Sequence, residues 1–406
     1  MKVLHTADWH IGKILHKQPL RDELIMFFEW LVELIKTENI DLLLISGDIF
    51  DISNPASIDR QLYYGFLSQL IGMQVKVIVT GGNHDSIGVL NAPQGILESL
   101  NITVVGGAKE NIEDELIEVR NENNELALVV AATPFLRDRD LRSRLIDSQY
   151  PNRVDAIRVG IKNHYAQLAT VCKEKYSDVV TIAMGHLFTK GVSTSDSERD
   201  IHVGNAAAVD HSVFGEAFDY VALGHIHRPQ RVEKNPFIRY SGSPIALSFS
   251  EREDNKSIVI ITLNEKKIET PVVVPIPKFR ALKKISGSLS KVTEALTEFK
   301  PNFALKSLVE IEVMEDVRNA QILSDVDDLV STYSTNEDFA IIKARTLFKE
   351  TDIDSSSLFK DGEEIGDLKP IDVFKKLLEH QEIEDETQAI LKEAFQEILE
   401  SVIQSK

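Results

Sequence analysis

The chain has 406 residues, of which 43% are hydrophobic and 27% are charged, and its formal net charge is −19 at pH 7. This composition is ordinary for a soluble globular protein, and the length predicts two or three domains. No apolar stretch approaches the roughly 20 residues that a membrane-spanning helix needs, so the sequence excludes a helical membrane protein. The only cysteine is Cys172, which excludes an internal disulfide. Together with an N-terminus that lacks a signal-peptide core, it predicts a cytoplasmic protein.

The first hundred residues alternate between strand and helix patterns. Apolar, β-branched runs predict strands at Lys2–Thr6, Asp41–Ser46 and Gln74–Thr80. Between them, apolar residues recur at helical spacing over Phe27–Ile35 and Leu62–Leu70. Strands that alternate with helices in this way are typical of βαβ units with a parallel sheet.

A second region rich in strands follows. Two apolar runs within Leu116–Ala132 flank the polar Asn121–Asn124 and predict a hairpin. A long helix is predicted over Val154–Lys175, and strand patterns dominate from Asp178 onwards. We therefore predict an α/β fold in which two sheets pack between helices, a four-layer αββα sandwich that spans residues 1–275.

Residues 276–350 predict a small α+β domain that caps the first one. Helical patterns cover Lys284–Lys300 and Val317–Leu329, and strand patterns cover Ser307–Met314 and Phe339–Arg345. The sequence therefore predicts a second domain after the larger one.

The last part of the chain is acidic and carries two helical patterns. Residues 351–406 contain 15 Asp/Glu and 6 Lys/Arg, so nearly half of the net charge lies there. Residues 351–366 are polar and rich in Ser, Asp and Gly, which predicts a flexible linker. Residues 367–406 predict a helix-loop-helix with apolar faces. These faces could pack against the preceding domain, but the linker favours a surface for a partner.

Five short polar motifs each directly follow an apolar run. They are Asp8-Trp9-His10, Gly47-Asp48-Ile49-Phe50-Asp51, Gly81-Gly82-Asn83-His84-Asp85, Gly185-His186 and Gly224-His225-Ile226-His227. Folds of this kind place their sites at strand ends. A single Asp-x-His pattern arises by chance, but five such motifs at successive strand ends predict a phosphoesterase with two metal ions.

Seven side chains are the predicted metal ligands. Asp48 is our choice for a carboxylate shared by both ions, because closely spaced ions need a bridging ligand. Asp8, His10 and His227 would complete one site, and Asn83, His186 and His225 the other. Imidazole, carboxylate and amide ligands without thiolate favour Mn²⁺, with Mg²⁺ as a second choice. The set contains only two carboxylates, so two divalent cations would leave the cluster positive. An acidic chain, whose charge alone argues against nucleic acid, could thus accept a phosphodiester.

Three further residues are predicted to act beside the metals. Protonated His84 would face the substrate and stabilise or protonate the departing alkoxide. Asp51 and Asp85 could orient nearby histidines, or could equally cap turns. The remaining histidines, which we expect to be ordinary surface or core residues, are His5, His16, His164, His202, His211 and His380. For the arginines Arg137, Arg139, Arg142 and Arg144, a solvated helix face is favoured over a phosphate-binding patch.

In this order the motifs resemble the calcineurin-like metallophosphoesterase superfamily. Longer strings narrow the resemblance to the family of bacterial SbcD-type nuclease subunits. These strings are LHTADWHIGK, ISGDIFD, TGGNHDS, GHLFTKGVSTSDSERDIHVG, LGHIHRPQ and YSGSPIALSF, and they carry the similarity to about Phe249. The resemblance implies the same seven metal ligands and a catalytic role for His84.

The resemblance also implies a substrate and partners. It implies Mn²⁺-dependent 3′-to-5′ exonuclease activity on double-stranded DNA and endonuclease activity at hairpins and blocked ends, in DNA repair, recombination and replication. It implies a homodimer within a heterotetramer in the nucleoid, with residues 276–350 contacting DNA. The partner would be an SbcC-type, SMC-like ABC ATPase, whose coiled-coil base would be held by residues 367–406.

Two other functions compete with a DNA nuclease. A small-molecule or cyclic-nucleotide phosphodiesterase could use the same metals, but it needs neither a capping domain nor a helical tail. A scaffold with a decayed metal site is a third alternative. The complete ligand set argues against it.

Overall fold

The computed structural model describes residues 1–142, 152–202, 206–264, 266–317 and 319–348, and seven single residues between 374 and 395. The predicted linker at 351–366 lies outside the described residues, as does most of the predicted helix-loop-helix at 367–406. The strands are β1 (Lys2–Thr6), β2 (Ile14–Leu15), β3 (Gln18–Pro19), β4 (Leu42–Ser46), β5 (Lys76–Thr80), β6 (Ile102–Val105), β7 (Leu116–Arg120), β8 (Leu126–Ala132), β9 (Val180–His186), β10 (Tyr220–Gly224), β11 (Gln230–Arg231), β12 (Ile238–Tyr240), β13 (Ser257–Asn264), β14 (Lys267–Ile268), β15 (Val272–Pro275), β16 (Leu282–Gly287), β17 (Ser307–Glu315) and β18 (Phe339–Phe348). The α-helices are α1 (Arg21–Glu38), α2 (Ser57–Leu70), α3 (Ile87–Asn91), α4 (Gln94–Glu98), α5 (Asp138–Arg142), α6 (Arg153–Lys175), α7 (Leu289–Glu298) and α8 (Ala320–Thr332).

The strands predicted in the first hundred residues form the centre of a seven-stranded sheet. Its order is β14–β13–β1–β4–β5–β6, and β15 also pairs with β13. The strands β1, β4, β5 and β6 run parallel, which confirms the prediction of a parallel sheet, whereas β13 is antiparallel to β1. β5 begins at Lys76 rather than at Gln74, because Gln74 has a φ of 58°, outside the β region.

A six-stranded sheet contains the later strands in the order β11–β12–β10–β9–β8–β7. The predicted hairpin at 116–132 is confirmed, because β7 and β8 pair antiparallel. β8, β9, β10 and β12 run parallel to one another. The ends of β9 and β10 therefore lie side by side, with Gly224 opposite His186.

The two sheets pack face to face, because their strands are apolar on both faces. In β4, Leu42 and Leu44 belong to a core cluster with side chains of β8, β9 and β10, so this cluster lies between the sheets. Leu43 and Ile45 point the other way and pack with α1 and α2. The far face of the second sheet packs with α6. Each fully buried leucine of this kind contributes roughly 1.5–3 kcal/mol of transfer free energy.

A third sheet follows, in the order β16–β17–β18. The helix predicted at 284–300 is wrong at its start, because residues up to Gly287 belong to β16 and α7 begins at Leu289. Gly287 has a φ of 156°, which a helix does not allow, so the strand and the helix are separated there. The predicted strands at 307–314 and 339–345 are confirmed as β17 and β18.

The described chain divides into two compact units. The first contains Met1–Ile285, Glu298–Ile311 and Tyr333–Lys343. The second contains Ser286–Thr297, Glu312–Thr332 and the described residues from Ala344 onwards. All of the predicted metal ligands belong to the first unit. Among the described residues, no helix is long and apolar enough to cross a bilayer.

Candidate metal centre

The seven predicted ligands come from the ends of five strands. They are Asp8 and His10 after β1, Asp48 after β4, Asn83 after β5, His186 at the end of β9, and His225 and His227 after β10. The first sheet supplies the loops after β1, β4 and β5, which are adjacent and parallel, and the second sheet supplies β9 and β10. Six of the seven side chains are at most 2% exposed, and Asn83 is partly exposed.

The backbone at the site is bent in an unusual way. Asp8, His10 and Asp48 have φ values of 54°, 46° and 50°, and His225 has 97°, all in the left-handed region. Such a conformation costs on the order of 1–3 kcal/mol for a residue other than glycine. Backbone hydrogen bonds hold it, because Asp8 N–H donates to the Gly47 carbonyl and His10 N–H to the Asp48 carbonyl, each at 3.0 Å.

Two glycines allow the loops to approach this closely. A Cβ at Gly82 would collide with the carboxylate and the backbone nitrogen of Asp48. A Cβ at Gly224 would collide with the carbonyl oxygen of Ser46. Any side chain at either position would therefore push two of the ligand loops apart.

The first group of ligands is Asp8, His10 and His227, whose ligand atoms all lie within 4.8 Å of one another. Nε2 of His10 lies 3.0 Å from Nε2 of His227. Asp8 Oδ1 accepts the backbone N–H of His225 at 2.8 Å, while its Oδ2 is buried without a hydrogen-bond partner in the part of the chain that the structure describes. Two facing imidazole nitrogens beside a bare carboxylate oxygen fit a bound cation.

The second group is Asp48, His186 and His225, with Asn83 beside them. His186 Nε2 lies 3.3 Å from Asp48 Oδ2 and 2.9 Å from Asn83 Oδ1. His225 Nδ1 lies 3.1 Å from the same amide oxygen. Asp48 also belongs to a third group with His10 and His84, and its Oδ2 lies 3.6 Å from His10 Nε2. One carboxylate thus faces histidines of both groups, and the whole arrangement is a dimetal site with His and Asp ligands.

Burial and neighbouring charges shift the pKa values of two ligands in this pocket. Burial raises the pKa of Asp8 to about 7, and the nearby Asp48 carboxylate adds to this effect. Burial lowers the pKa of His186, but the carboxylates of Asp48 and Asp8 outweigh burial and raise it to about 9. The pocket therefore pairs imidazolium with carboxylate when no cation balances the charge.

Three of the four ligand histidines are held from behind through Nδ1. His10 Nδ1 lies 3.1 Å from Asp51 Oδ1, and His186 Nδ1 lies 3.0 Å from the Ser46 carbonyl. His227 Nδ1 lies 2.5 Å from the hydroxyl of Ser197. A partner at Nδ1 fixes the tautomer that leaves Nε2 free to bind a metal.

His84 lies directly beside both groups. Its Nδ1 contacts the Asp51 carbonyl at 2.6 Å, so this nitrogen donates. Its Nε2 lies 3.9 Å from Asp48 Oδ2, and its ring packs edge-on against His10 with centroids 4.6 Å apart. Burial lowers the pKa of His84 to about 4, with further lowering by His10 and Arg199. The imidazole is therefore neutral near pH 7, with its ring proton on Nδ1.

The two predicted orienting aspartates behave differently. Asp51 contacts a histidine, because Oδ1 accepts from His10 and also from Lys13 at 3.3 Å. Asp85 accepts from the backbone N–H groups of Ile49, Phe50 and Gly82 at 3.1, 3.0 and 2.8 Å. Asp85 therefore fixes the loop around Asp48, and its carboxylate makes no hydrogen bond or ion pair with a histidine among the described residues.

The other histidines lie outside these groups. His5 contacts the Tyr220 hydroxyl at 3.0 Å, His164 contacts Glu115 at 2.8 Å, and His202 contacts Asp138 at 3.0 Å. His16 stacks with Phe249, and His211 lies in a separate, more exposed group with Asp210 and Glu233. His380 lies outside the described residues.

The structure gives the contacts of two of the four arginines that follow β8. Arg137 donates to the backbone carbonyl of Asp85 at 3.1 Å, so it supports the loop behind the site. Arg139 is exposed and lies 3.4 Å from Asp140. The side chains of Arg142 and Arg144 lie outside the described residues.

Sequence reasoning missed the residues behind His227. Ser197 and Glu251 were not singled out, although Ser197 lies in one of the strings that carried the family resemblance and Glu251 lies two residues after another. They occur in polar stretches without periodicity, where a serine or a glutamate is typical of a loop. Their positions relative to His227 depend on contacts between segments that are far apart in the sequence.

Comparison with known proteins agrees with this geometry. The calcineurin-like phosphoesterase family matches residues 1–229. The chain is 30% identical over 398 residues to the SbcD subunit of nuclease SbcCD from Escherichia coli (strain K12), with 97% of each chain covered. It is 31% identical over 386 residues to the SbcD subunit of nuclease SbcCD from Bacillus subtilis (strain 168), covering 94% of this chain and 93% of that one. The chain therefore belongs to the calcineurin-like phosphoesterase family, in the group of the SbcD subunits of SbcCD nucleases.

Proposed function

We propose that this chain is the nuclease subunit of an SbcCD-type complex and hydrolyses phosphodiester bonds of DNA with two divalent cations. The observation that carries the proposal is the buried group of histidines and aspartates at five strand ends, in which Asp48 faces histidines of both ligand groups. The similarity to curated nuclease subunits over nearly the whole chain supports DNA as the substrate.

The ligands divide as the distances suggest. Asp8, His10 and His227 would hold one cation, Asn83, His186 and His225 would hold the other, and Asp48 would serve both. When bound, the cations lower the pKa of an attacking water and offset the charge of the phosphodiester. We assign Mn²⁺, with Mg²⁺ as the second choice, because the ligands are imidazole, carboxylate and amide groups. Two dications exceed the charge of the two carboxylates, so the site attracts an anionic backbone even in an acidic chain.

His84 acts on the substrate rather than on the cations. Its Nδ1 is held by the Asp51 carbonyl, so Nε2 is the nitrogen that faces the centre. Because the neutral ring carries its proton on Nδ1, only the imidazolium form can donate Nε2–H. In that form His84 stabilises or protonates the oxygen that leaves. The carboxylate of Asp51 fixes the ring of His10, and its backbone carbonyl holds the ring of His84. Asp85 fixes the Asp48 loop.

The activity is assigned as 3′-to-5′ exonuclease on double-stranded DNA and endonuclease at hairpins and blocked ends, serving repair, recombination and replication in the cytoplasm. Residues 276–350 form a capping domain after the αββα domain and contact DNA. They contain 11 Lys/Arg and 12 Asp/Glu, so this domain is nearly neutral although the whole chain is acidic. Residues 367–406 bind the coiled coil of an SbcC-type ATPase after the linker at 351–366. The subunit forms a homodimer within that complex.

The test is cleavage of end-labelled duplex and hairpin DNA by the purified protein with Mn²⁺, alone and with the ATPase and ATP. We expect cleavage that is lost in His84→Gln, while Mn²⁺ binding persists. His211→Gln is the matched control, because His211 lies outside both ligand groups, and it should cleave normally. If DNA stays intact with the ATPase and ATP while a cyclic or nitrophenyl phosphodiester is hydrolysed, the small-molecule phosphodiesterase is the better assignment.

The partner assignment has its own test. Deletion of residues 367–406 should abolish co-purification with the ATPase and leave hydrolysis of a nitrophenyl diester unchanged. Retained co-purification would contradict the role given to the tail.

A further inference from the structure

We propose that Ser197 and Glu251 are positioning residues for His227, and that Lys256 holds Glu251 in place. The inference rests on the two-metal function proposed above and deepens it. It concerns how the ligand His227 keeps its tautomer and the orientation of its imidazole ring. None of the three residues belongs to the seven ligands.

A chain of hydrogen bonds runs from the ring of His227 to a buried carboxylate. Nε2 of His227 points at His10, so Nε2 is the nitrogen available to a cation, and the ring proton lies on Nδ1. Nδ1–H then donates to Ser197 Oγ at 2.5 Å. The Ser197 hydroxyl in turn donates to Glu251 Oε1. Because a carboxylate only accepts, Glu251 sets the direction of every hydrogen bond in the chain.

The carboxylate at the end of this chain is itself held firmly. Glu251 is 0% exposed, and its Oε2 accepts from Lys256 Nζ at 2.6 Å and from the Leu247 N–H at 3.1 Å. Burial by itself would raise the pKa of Glu251, but the Lys256 ammonium and the hydrogen bonds keep it well below its ordinary value. Glu251 is therefore a charged acceptor at pH 7.

Lys256 binds both Glu251 and the backbone of His227. Its ammonium also donates to the backbone carbonyl of His227 at 2.8 Å and to Ser243 Oγ at 2.9 Å. On the other side, the backbone N–H of His227 donates to Glu198 Oε1 at 2.9 Å. The N–H, the carbonyl and the ring of one ligand are thus held by residues from two separate segments.

The test measures Mn²⁺ binding by titration and by electron paramagnetic resonance. Neither measurement depends on catalysis. The wild-type protein should bind two Mn²⁺ and give the spectrum of a spin-coupled pair. Ser197→Ala leaves the Glu251–Lys256 pair intact but removes the hydroxyl. We expect it to bind one of the two Mn²⁺ about 10–100-fold more weakly, with an uncoupled spectrum at intermediate Mn²⁺.

Two variants make this test specific. Ser197→Thr keeps a hydroxyl and should restore the coupled pair, and Ser193→Ala removes an exposed serine of the same segment that contacts Arg228 instead. Unchanged binding of both Mn²⁺ in Ser197→Ala would overturn the inference, as would an equal loss in Ser197→Thr. If the wild-type protein itself fails to bind two Mn²⁺, the proposed two-metal function fails first.

Discussion

Replacing Glu251 with glutamine is expected to destabilise the first unit by about 3–5 kcal/mol, because it leaves a buried ammonium without its counter-charge. Glu251 is 0% exposed and Lys256 is 8% exposed, and their charged atoms lie 2.6 Å apart. In Glu251→Gln the ammonium keeps Ser243 and the His227 carbonyl as neutral acceptors. These acceptors do not replace a carboxylate in a desolvated site.

The loss can be measured by urea denaturation at pH 7 in EDTA, so that metal binding does not contribute. Tryptophan fluorescence reports on the first unit, because Trp9 and Trp30 both belong to it and Trp9 is fully buried among Phe27, Phe28 and Phe66. The double variant Glu251→Gln/Lys256→Met removes both charges and should lose less free energy of unfolding than Glu251→Gln alone.

The same free energies of unfolding, measured at lower pH, provide a second test. The folded-state pKa of Glu251 lies below its ordinary 4.5, so its stabilising effect is present above pH 4.5 and is lost as the pH falls through the folded value. The difference between the wild type and Glu251→Gln should therefore be full at pH 7 and shrink below about pH 4.5. A loss under about 1 kcal/mol at pH 7, or a difference that grows on acidification, would refute the reasoning.

Two further predictions concern other positions. Gly82→Ala should prevent binding of both Mn²⁺, because its Cβ would displace the shared carboxylate of Asp48, whereas Gly72→Ala has open space and should bind normally; a Gly82→Ala protein that titrates with two Mn²⁺ would contradict this. Cys172 is 2% exposed and burial raises its pKa to about 11, so only about 0.1% is thiolate at pH 8 and iodoacetamide should label it only after unfolding. Mass spectrometry reads the labelling, and rapid alkylation of the native protein would show that the thiol is accessible.

Much of the fold and most of the site were predictable from the sequence. Apolar runs such as Leu42–Ile45 can be satisfied only by burial on both faces, so their composition alone identifies them as central strands. Parallel strands end at the same edge of a sheet, so polar motifs after successive runs must converge. This is why Asp8, Asp48 and Asn83 could be placed together, and the histidines of the second sheet with them.

The parts that could not be predicted depend on long-range contacts or on a single backbone torsion. Glu251 accepts a hydrogen bond from Ser197, which lies 54 positions earlier in the sequence, and no periodic pattern predicts that contact. Asp85 follows His84 in the same motif, yet it points to backbone N–H groups because the loop at Ile49 and Phe50 turns towards it. The start of α7 was misplaced because lysines favour helices, while Gly287 stops one from forming there.

The pairing of β1 with β13 has a consequence for the order in which this protein matures. Leu4 lies opposite Ile260, so the strand that carries the first ligands gains its antiparallel neighbour only after some 260 residues have been made. A growing chain therefore cannot complete the sheet that positions Asp8 and His10 until β13 has been synthesised, so this sheet is finished late in translation.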